Sequence, residues 1–465
     1  MSDEPSLSTA TGWRELMKPA LISRFAFLCL GIWLNAADAL VTITLTPTIA
    51  GEIGGFQYFG WSVAAFLLGG IVAGVCSGRM SMELGLRPSI AVAGVAYAVG
   101  CAVSALASDF LVFIAGRLLQ GLGAGAIAAL CYVAINGMFP ERLWVRVLAG
   151  LAGVWGVATL LGPLIGGVFA ELDWWRGAFW FFAIQSLLFI AATFALVPAG
   201  AKRDEPRPRI PLPQLGALIV GVTLIAAAGT TGTALLDGAL GLGGLAGMAL
   251  LLWLDGRDGG VLLPRSAGDL TSLAGAGYFT IFALEAATIG FSVYGPAFLQ
   301  GLQGASPLVA GYVISAVAAG WTVTAMLVAG VQNRDGLMIR LGAVCVVAGL
   351  TLAAWSLPYG GLWLSAAALT LTGLGFGFAF AFLSKVIIGG LSEAERPLGS
   401  SAVPTAQMIG GAVGAAGASA LAGLLGLADG VDPVTGPAAG LKLFGAMIPV
   451  ALLGLLAAWR VGRRA

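Results

Sequence analysis

Charged side chains in this sequence are almost confined to short intervals between long apolar stretches, and that spacing leaves the chain few architectures to choose from. Runs of about 20 residues without a charge recur along its length, which is what a helix needs to cross roughly 30 Å of hydrocarbon. Only 10% of the residues are Asp, Glu, Lys or Arg, and 59% are hydrophobic, where a soluble domain carries about 25% charged residues. The chain reads as a polytopic membrane protein.

Hydropathy places spans near 25–50, 56–78, 88–107, 109–137, 145–170 and 176–198. A basic, proline-rich connector, Lys202 to Pro213, leads to two further spans near 213–234 and 239–254, the second one short. Six more lie near 271–299, 306–330, 336–356, 360–384, 398–426 and 438–459, which makes fourteen. The positive-inside rule tests the parity of this count. With the N-terminus cytoplasmic, the inside segments hold nearly every basic residue, from Arg14, Lys18 and Arg24 to Arg460, Arg463 and Arg464, and the outside segments hold only Arg176 and Lys442. Arg117 alone falls inside a span away from its ends. Removing the pair at 213–254 would preserve parity, so charge does not separate twelve spans from fourteen. The apolar content of 214–236 favours fourteen.

Composition also excludes function classes. A net charge of +1 gives no reason to expect a nucleic-acid partner. Histidine is absent, which removes the commonest general base and metal ligand, so no metal or cofactor is expected and proton chemistry must use carboxylates. The five cysteines lie in apolar stretches and read as small buried hydrophobes rather than disulfides. Without histidine, a thiol–base pair or a soluble domain, an enzyme is the least supported reading. The first apolar run, Phe25 to about Ala50, is too long for a signal-peptide core, so no cleavable leader is expected.

An ionisable group within a span is costly and is a functional candidate by default. Asp38, Arg117 and Glu285 qualify. Lys385, near the end of its span, can snorkel to the interface. Asp38 lies about 20 Å into span one, and Asn35, Asp38, Thr42 and Thr46 share an arc of about 80°. Such a stripe faces either a cavity or another helix, with Asp38 satisfied by hydroxyls. Tyr278, Glu285, Thr288 and Ser292 share a similar arc on span nine, interrupted by Ile281. Hydrocarbon disfavours the charged form of a carboxyl group, and a group that binds and releases protons near neutrality suits coupling. A structural Glu paired with a hydroxyl or backbone donor is the alternative. Arg117 stays charged and either tunes a nearby carboxylate or caps carbonyls, with Gln120 on the same face.

Three motifs sit on these spans. Span four contains Arg117-Leu-Leu-Gln120-Gly121-Leu-Gly-Ala-Gly125, and span five contains Gly162-Pro163-Leu-Ile-Gly166-Gly167. Span one places Pro47 nine residues after Asp38. Pro296-Ala-Phe-Leu-Gln300, Ser306-Pro307 and Gln407-Met-Ile-Gly410-Gly411 follow in the second half. In this order the chain resembles the major facilitator superfamily, and within it the fourteen-helix drug:proton antiporter branch. It departs from that pattern in the loop after span two, Gly78-Arg-Met-Ser-Met82-Glu83-Leu-Gly-Leu-Arg87, where Met82 replaces the family's acidic residue and Glu83 stands where Arg is usual.

The resemblance implies an all-α fold of two six-helix bundles plus two additional central transmembrane helices. The corresponding division is a cytoplasmic leader at 1–24, bundles at 25–198 and 271–465, and a connector with the extra pair at 199–270. The expected function is proton-coupled export of a small amphipathic or lipophilic compound by alternating access. Asp38, Glu285 and Arg117 would couple protons, and Asn35, Thr42, Gln120, Tyr278, Thr288 and Ser292 would line the cavity. Gly162, Pro163, Gly166, Gly167, Gly78, Glu83 and Arg87 would serve the conformational change; Gly162-Pro163 is foremost a backbone device. The expected partners are a small-molecule substrate, protons and the lipid bilayer, with the chain monomeric in a bacterial inner membrane and both termini cytoplasmic. A symporter or facilitator importing a metabolite is the rival within the class, and a non-transporting sensor or scaffold with this fold is the rival outside it.

Overall fold

In hydrocarbon an unpaired backbone N–H or C=O is costly, so charge-free stretches of this length close their hydrogen bonds internally as helices. The computed structural model describes residues 15–198, 209–427 and 430–464, and among them helices and turns account for all the regular structure. Six helices come first: α1 (Pro19–Ile53), α2 (Phe59–Leu84), α3 (Leu86–Ala105), α4 (Phe110–Met138), α5 (Trp144–Glu171) and α6 (Trp175–Leu196). A pair follows, α7 (Leu212–Ala227) and α8 (Ala234–Arg257). The second set is α9 (Leu273–Gln303), α10 (Pro307–Val328), α11 (Asp335–Trp355), α12 (Leu362–Gly389) and α13 (Arg396–Leu424). Its last span is broken into α14 (Gly436–Gly445) and α15 (Ile448–Arg464). Most of the expected leader, including Arg14, and the connector residues Lys202, Arg203 and Arg207 lie outside the described residues.

Local chemistry sets the boundaries. Asp109 caps α4 by accepting from the N–H groups of Leu111 and Val112 at 2.9 and 3.0 Å. Ser272 and Ser306 cap α9 and α10 in the same way. Gly85, at φ 90°, divides α2 from α3 in a conformation that costs other residues more. The central pair corrects one expectation. With α14 and α15 counted as one span, thirteen helical segments among the described residues are long and apolar enough to cross a membrane. The shorter one is α7, at 16 residues, not α8, which runs to 24. Gly229 and Gly232 adopt φ of 93° and 68° and turn the chain before Ala234, so the stretch expected to continue to 234 stops at Ala227.

The helices form two bundles. Helix α4 packs against α2 and α3, and α1 against α5 and α6, while in the second set α12 packs against α10 and α11, and α9 against α13 and α15. The bundles meet along two seams, α2 on α13 and α5 on α10. Prolines lie within α1, α5, α9 and α13 (Pro47, Pro163, Pro296 and Pro404), the first and fifth helices of each bundle. Interruptions at matching places in two halves mark the midplane site of secondary transporters. The hairpin of α7 and α8 lies over one seam only. Helix α7 touches both α13 and α2, and Trp61 Nε1 of α2 donates to the Ala226 carbonyl at 3.0 Å.

One end of the bundle, here termed the basic face, holds Arg24, Arg79, Arg87, Arg142, Arg146 and the arginines of α15; the opposite end is the far face. On the far side the bundles are shut. Tyr294 of α9 and Ser419 of α13 both donate to the Gln57 carbonyl, in the turn between α1 and α2. The Tyr294 ring packs 5.6 Å from that of Phe59 and 5.8 Å from that of Phe56, centroid to centroid. Along the α2–α13 seam contact continues inward from Gly60 on Ala415, through Leu67 on Gly411, to Gly70 on Met408. Toward the basic face the helices part: the space a Cβ would take at Gly74 or Gly78 is open, and Ser401 and Pro404 of α13 are exposed.

Candidate functional site

Helix α4 is drawn in by its glycines. A Cβ on Gly121 would meet the Phe66 carbonyl oxygen of α2 at 2.1 Å, and one on Gly123 would meet the Tyr97 backbone nitrogen of α3 at 2.4 Å. Only residues without side chains let three backbones approach this closely. That approach buries Arg117, which is 2% exposed, against Asp38 of α1, which is fully buried. Arg117 Nη1 lies 2.9 and 3.0 Å from the two carboxylate oxygens of Asp38 and also donates to Gln120 Oε1. Thr42 Oγ1 adds a bond to Asp38 Oδ1 at 3.1 Å, and the guanidinium lies over the Phe66 ring at 4.2 Å. The arrangement is a closed ion pair with its own polar shell.

The second carboxylate sits differently. Glu285, midway along α9, is half-buried and accepts from Gln407 Nε2 of α13 at 3.1 Å. It borders an apolar recess with Ile281, Leu284, Phe376, Phe380 and Leu383, in which no basic side chain takes part. Gly373 and Gly377 bring α12 onto the α10 backbone, as Gly121 and Gly125 do for α4 and α2. Trp321 of α10 is thereby stacked on Phe376, with centroids 5.0 Å apart at 11°, and set 5.1 Å from Phe380. Glu285 also stands beside Gly411, which meets Leu67 across the seam. One carboxylate, one amide and three aromatic rings therefore gather where the bundles join.

Several sequence-based site residues lie elsewhere than expected. Tyr278 is 3% exposed and donates to the Gly399 carbonyl at 2.9 Å, so it packs α9 on α13 rather than lining a cavity. Thr288 is 5% exposed and turns its hydroxyl back to the Leu284 carbonyl, the usual way a hydroxyl is satisfied in an apolar helix. Thr42 and Gln120 are buried as partners of the ion pair and do not reach an open space. Asn35 and Ser292 keep partial exposure.

The conformational candidates fall into place unevenly. Gly162 and Gly166 face α1 at Leu40 and Thr44, whereas Gly167 meets Leu308 and Pro163 meets Gly311, both on α10 of the other bundle. Glu83 pairs with Arg79 one turn back at 2.7 Å, and Arg87 Nε donates to the Val197 carbonyl at 2.7 Å, within the first bundle. Gly78 is exposed. Lys385 reaches outward to Asp335 Oδ2 at 2.7 Å. Phe376, which lines the recess, and Trp321, which stacks on it, went unnoticed in the sequence because aromatics are unremarkable in a span, and their stacking depends on glycines one helix away.

Comparison with known proteins bears on the fold and the family. The family model described as Major Facilitator Superfamily matches residues 28–415. A relative from Mycobacterium tuberculosis named "Probable multidrug-efflux transporter" is 30% identical over 478 residues, covering 98% of both chains. A second protein of that organism, an uncharacterised MFS-type transporter, is 29% identical over 74% of this chain and 48% of its own length. Among solved structures, the nucleoside transporter NupG aligns with a TM-score of 0.68 at 10% identity, covering 94% of this chain and 99% of that one. A peptide transporter POT in complex with sulfate gives 0.68 at 15% identity, covering 95% of each.

Proposed function

Since the chain belongs to the major facilitator superfamily, and is therefore a membrane transporter rather than an enzyme, we propose that it is a proton-coupled exporter of small amphipathic or lipophilic compounds. The observation that carries this reading is the contrast between its two intramembrane carboxylates. Asp38 is locked by Arg117, Thr42 and full burial, so it serves as a fixed pole of the first bundle. Glu285 is held by one neutral amide and opens on an aromatic recess at the bundle junction, so it is free to exchange a proton for a substrate. With the Asp38–Arg117 pair neutral as a unit, the charge left near the midplane is that of Glu285, which favours cationic compounds with flat apolar bodies.

The proposed cycle follows from the two faces. The basic face is cytoplasmic by the positive-inside rule, with both termini on that side and the chain acting as a monomer in a bacterial inner membrane. Substrate enters from that face, and Glu285 releases its proton to the same side as the compound settles against Phe376, Phe380 and Trp321. The bundles then rock about the glycine contacts of the α5–α10 seam and the far seal parts. Substrate leaves, and a proton from the far side takes its place on Glu285 before the seal reforms. The name carried by the Mycobacterium tuberculosis relative supports the export direction.

The test is proteoliposomes with an imposed pH gradient, an internal pH dye and a panel of lipophilic cations, neutral drugs and organic anions. Substrate-triggered proton flux should appear with lipophilic cations and vanish in Glu285→Gln. Substrate movement without proton flux, unchanged in Glu285→Gln and Asp38→Asn, would show a facilitator and end the assignment of Glu285.

A further inference from the structure

The exposed side of α15 changes character along its length. Leu452, Leu453 and Leu456 are 44%, 52% and 67% exposed, and Trp459, one turn later, is 40% exposed. Arg460, Arg463 and Arg464 follow, all exposed. At about 100° per residue these side chains fall within an arc of roughly 140°, so an apolar track runs directly into a cluster of guanidinium groups. Leu456, Trp459 and the three arginines wall an open groove of about 340 Å³.

The groove has a built back wall. A Cβ on Gly336 of α11 would meet the Gly462 carbonyl oxygen at 2.2 Å, so the two backbones touch at this level. Arg340 of α11 then lies 5.5 Å from the Trp459 ring, with its Nε on the Gly336 carbonyl at 2.9 Å. Among the described residues, Arg460, Arg463 and Arg464 have no carboxylate within ion-pair distance. Arg464 spends one N–H on the Thr271 carbonyl at 2.9 Å. Asp269, whose charge acts on Arg460, is held by the N–H and hydroxyl of Thr271.

Two ordinary causes favour cations here: the negative end of a helix dipole and the positive-inside bias. Both are satisfied by basic residues at any position around the helix. Neither accounts for three arginines, without an ion-pair partner among the described residues, on the same side as an exposed leucine track with tryptophan at the join. We propose that this groove binds the phosphate headgroup of an anionic phospholipid, with its acyl chains along Leu452, Leu453 and Leu456. Guanidinium forks match phosphate oxygens in pairs, tryptophan settles at headgroup depth, and basic pockets at helix ends hold acidic headgroups. The site lies on the outer side of the second bundle, away from Glu285, and does not depend on the transport reading.

Native mass spectrometry of the full chain in detergent tests it, titrating phosphatidylglycerol, phosphatidylcholine and inorganic phosphate in parallel. Phosphatidylglycerol should be retained about fivefold or more over phosphatidylcholine, the scale set by one basic contact to an acidic headgroup. That preference should be lost in the triple variant Arg460→Gln, Arg463→Gln, Arg464→Gln, weakened in the triple Lys variant, and unchanged in Arg334→Gln. Should the triple Gln variant fail to fold, Arg463→Gln alone should lower the preference. Equal retention of the two lipids, or a preference that survives the Gln variants, would overturn the proposal. Inorganic phosphate binding as well as the lipid would also overturn it, by showing a site for the free anion.

Discussion

Two carboxylates at similar depth in corresponding helices carry different burdens, and substitution should separate them. Removing one partner of a buried ion pair leaves the other charge unpaired and costs about 3–5 kcal/mol, so Asp38→Asn should lower the unfolding transition sharply in a detergent melt followed by tryptophan fluorescence. Glu285→Gln strands no cation and should melt close to wild type while losing proton flux. If Asp38→Asn melts like wild type, the pair is not closed as described. Phe380→Ala should weaken an aromatic substrate about two- to twelvefold, the value of one aromatic contact, measured as the shift in half-saturating concentration. Both acids and Arg117 were legible in the sequence because each interrupts a long apolar run. Their partnerships were not. Asp38 and Arg117 are 79 residues apart in the chain, and Gln407 is an uncharged residue in a span until Glu285 is set beside it.

At the level of helices, the far seal and the α5–α10 seam are where substitutions should shift populations rather than chemistry. Tyr294→Phe and Ser419→Ala each remove a hydrogen bond to the Gln57 carbonyl, worth about 0.5–1.5 kcal/mol. Each should raise the far-open population by about two- to twelvefold, seen as longer distances between spin labels at the far ends of α2 and α13; unchanged distances would remove the seal from the gating reading. Gly167→Leu, whose Cβ would meet the Leu308 Cα at 2.7 Å, should push α5 from α10 and slow transport without altering the Asp38 pair. The helices themselves followed from charge spacing in number and order, with ends that differ from the expected bounds by up to about seven residues, since a span needs a minimum length of about 20 residues but no maximum. The exceptions are instructive. Helix α7 ends early because two glycines take positive φ, and the last span breaks between Gly445 and Ile448, neither of which a hydropathy average registers. Which side of each helix meets its neighbour was not legible either, because in an apolar helix the glycines decide the contacts and the periodicity of polar residues is faint.

For the molecule as a whole, the proposed orientation rests on the basic face. Cysteines placed at Gly54 and Gly304, in turns on the far face, should react with a membrane-impermeant maleimide in intact cells of a cysteine-free background; one at Gly390, at the basic end of α12, should react only after permeabilisation. The reverse pattern would invert the proposed direction. The two lateral seams are also unequal. The hairpin of α7 and α8 lies over the seam of α2 and α13, whereas along the seam of α5 and α10 Leu160, Leu164, Val309 and Tyr312 remain exposed at the surface. A compound dissolved among the acyl chains would thus find the midplane flanked by a shuttered wall on one side and an unshuttered one on the other. For such solutes the concentration that matters is the amount partitioned into the leaflet rather than the amount free in water, and uptake would follow oil–water distribution as closely as it follows affinity for the recess.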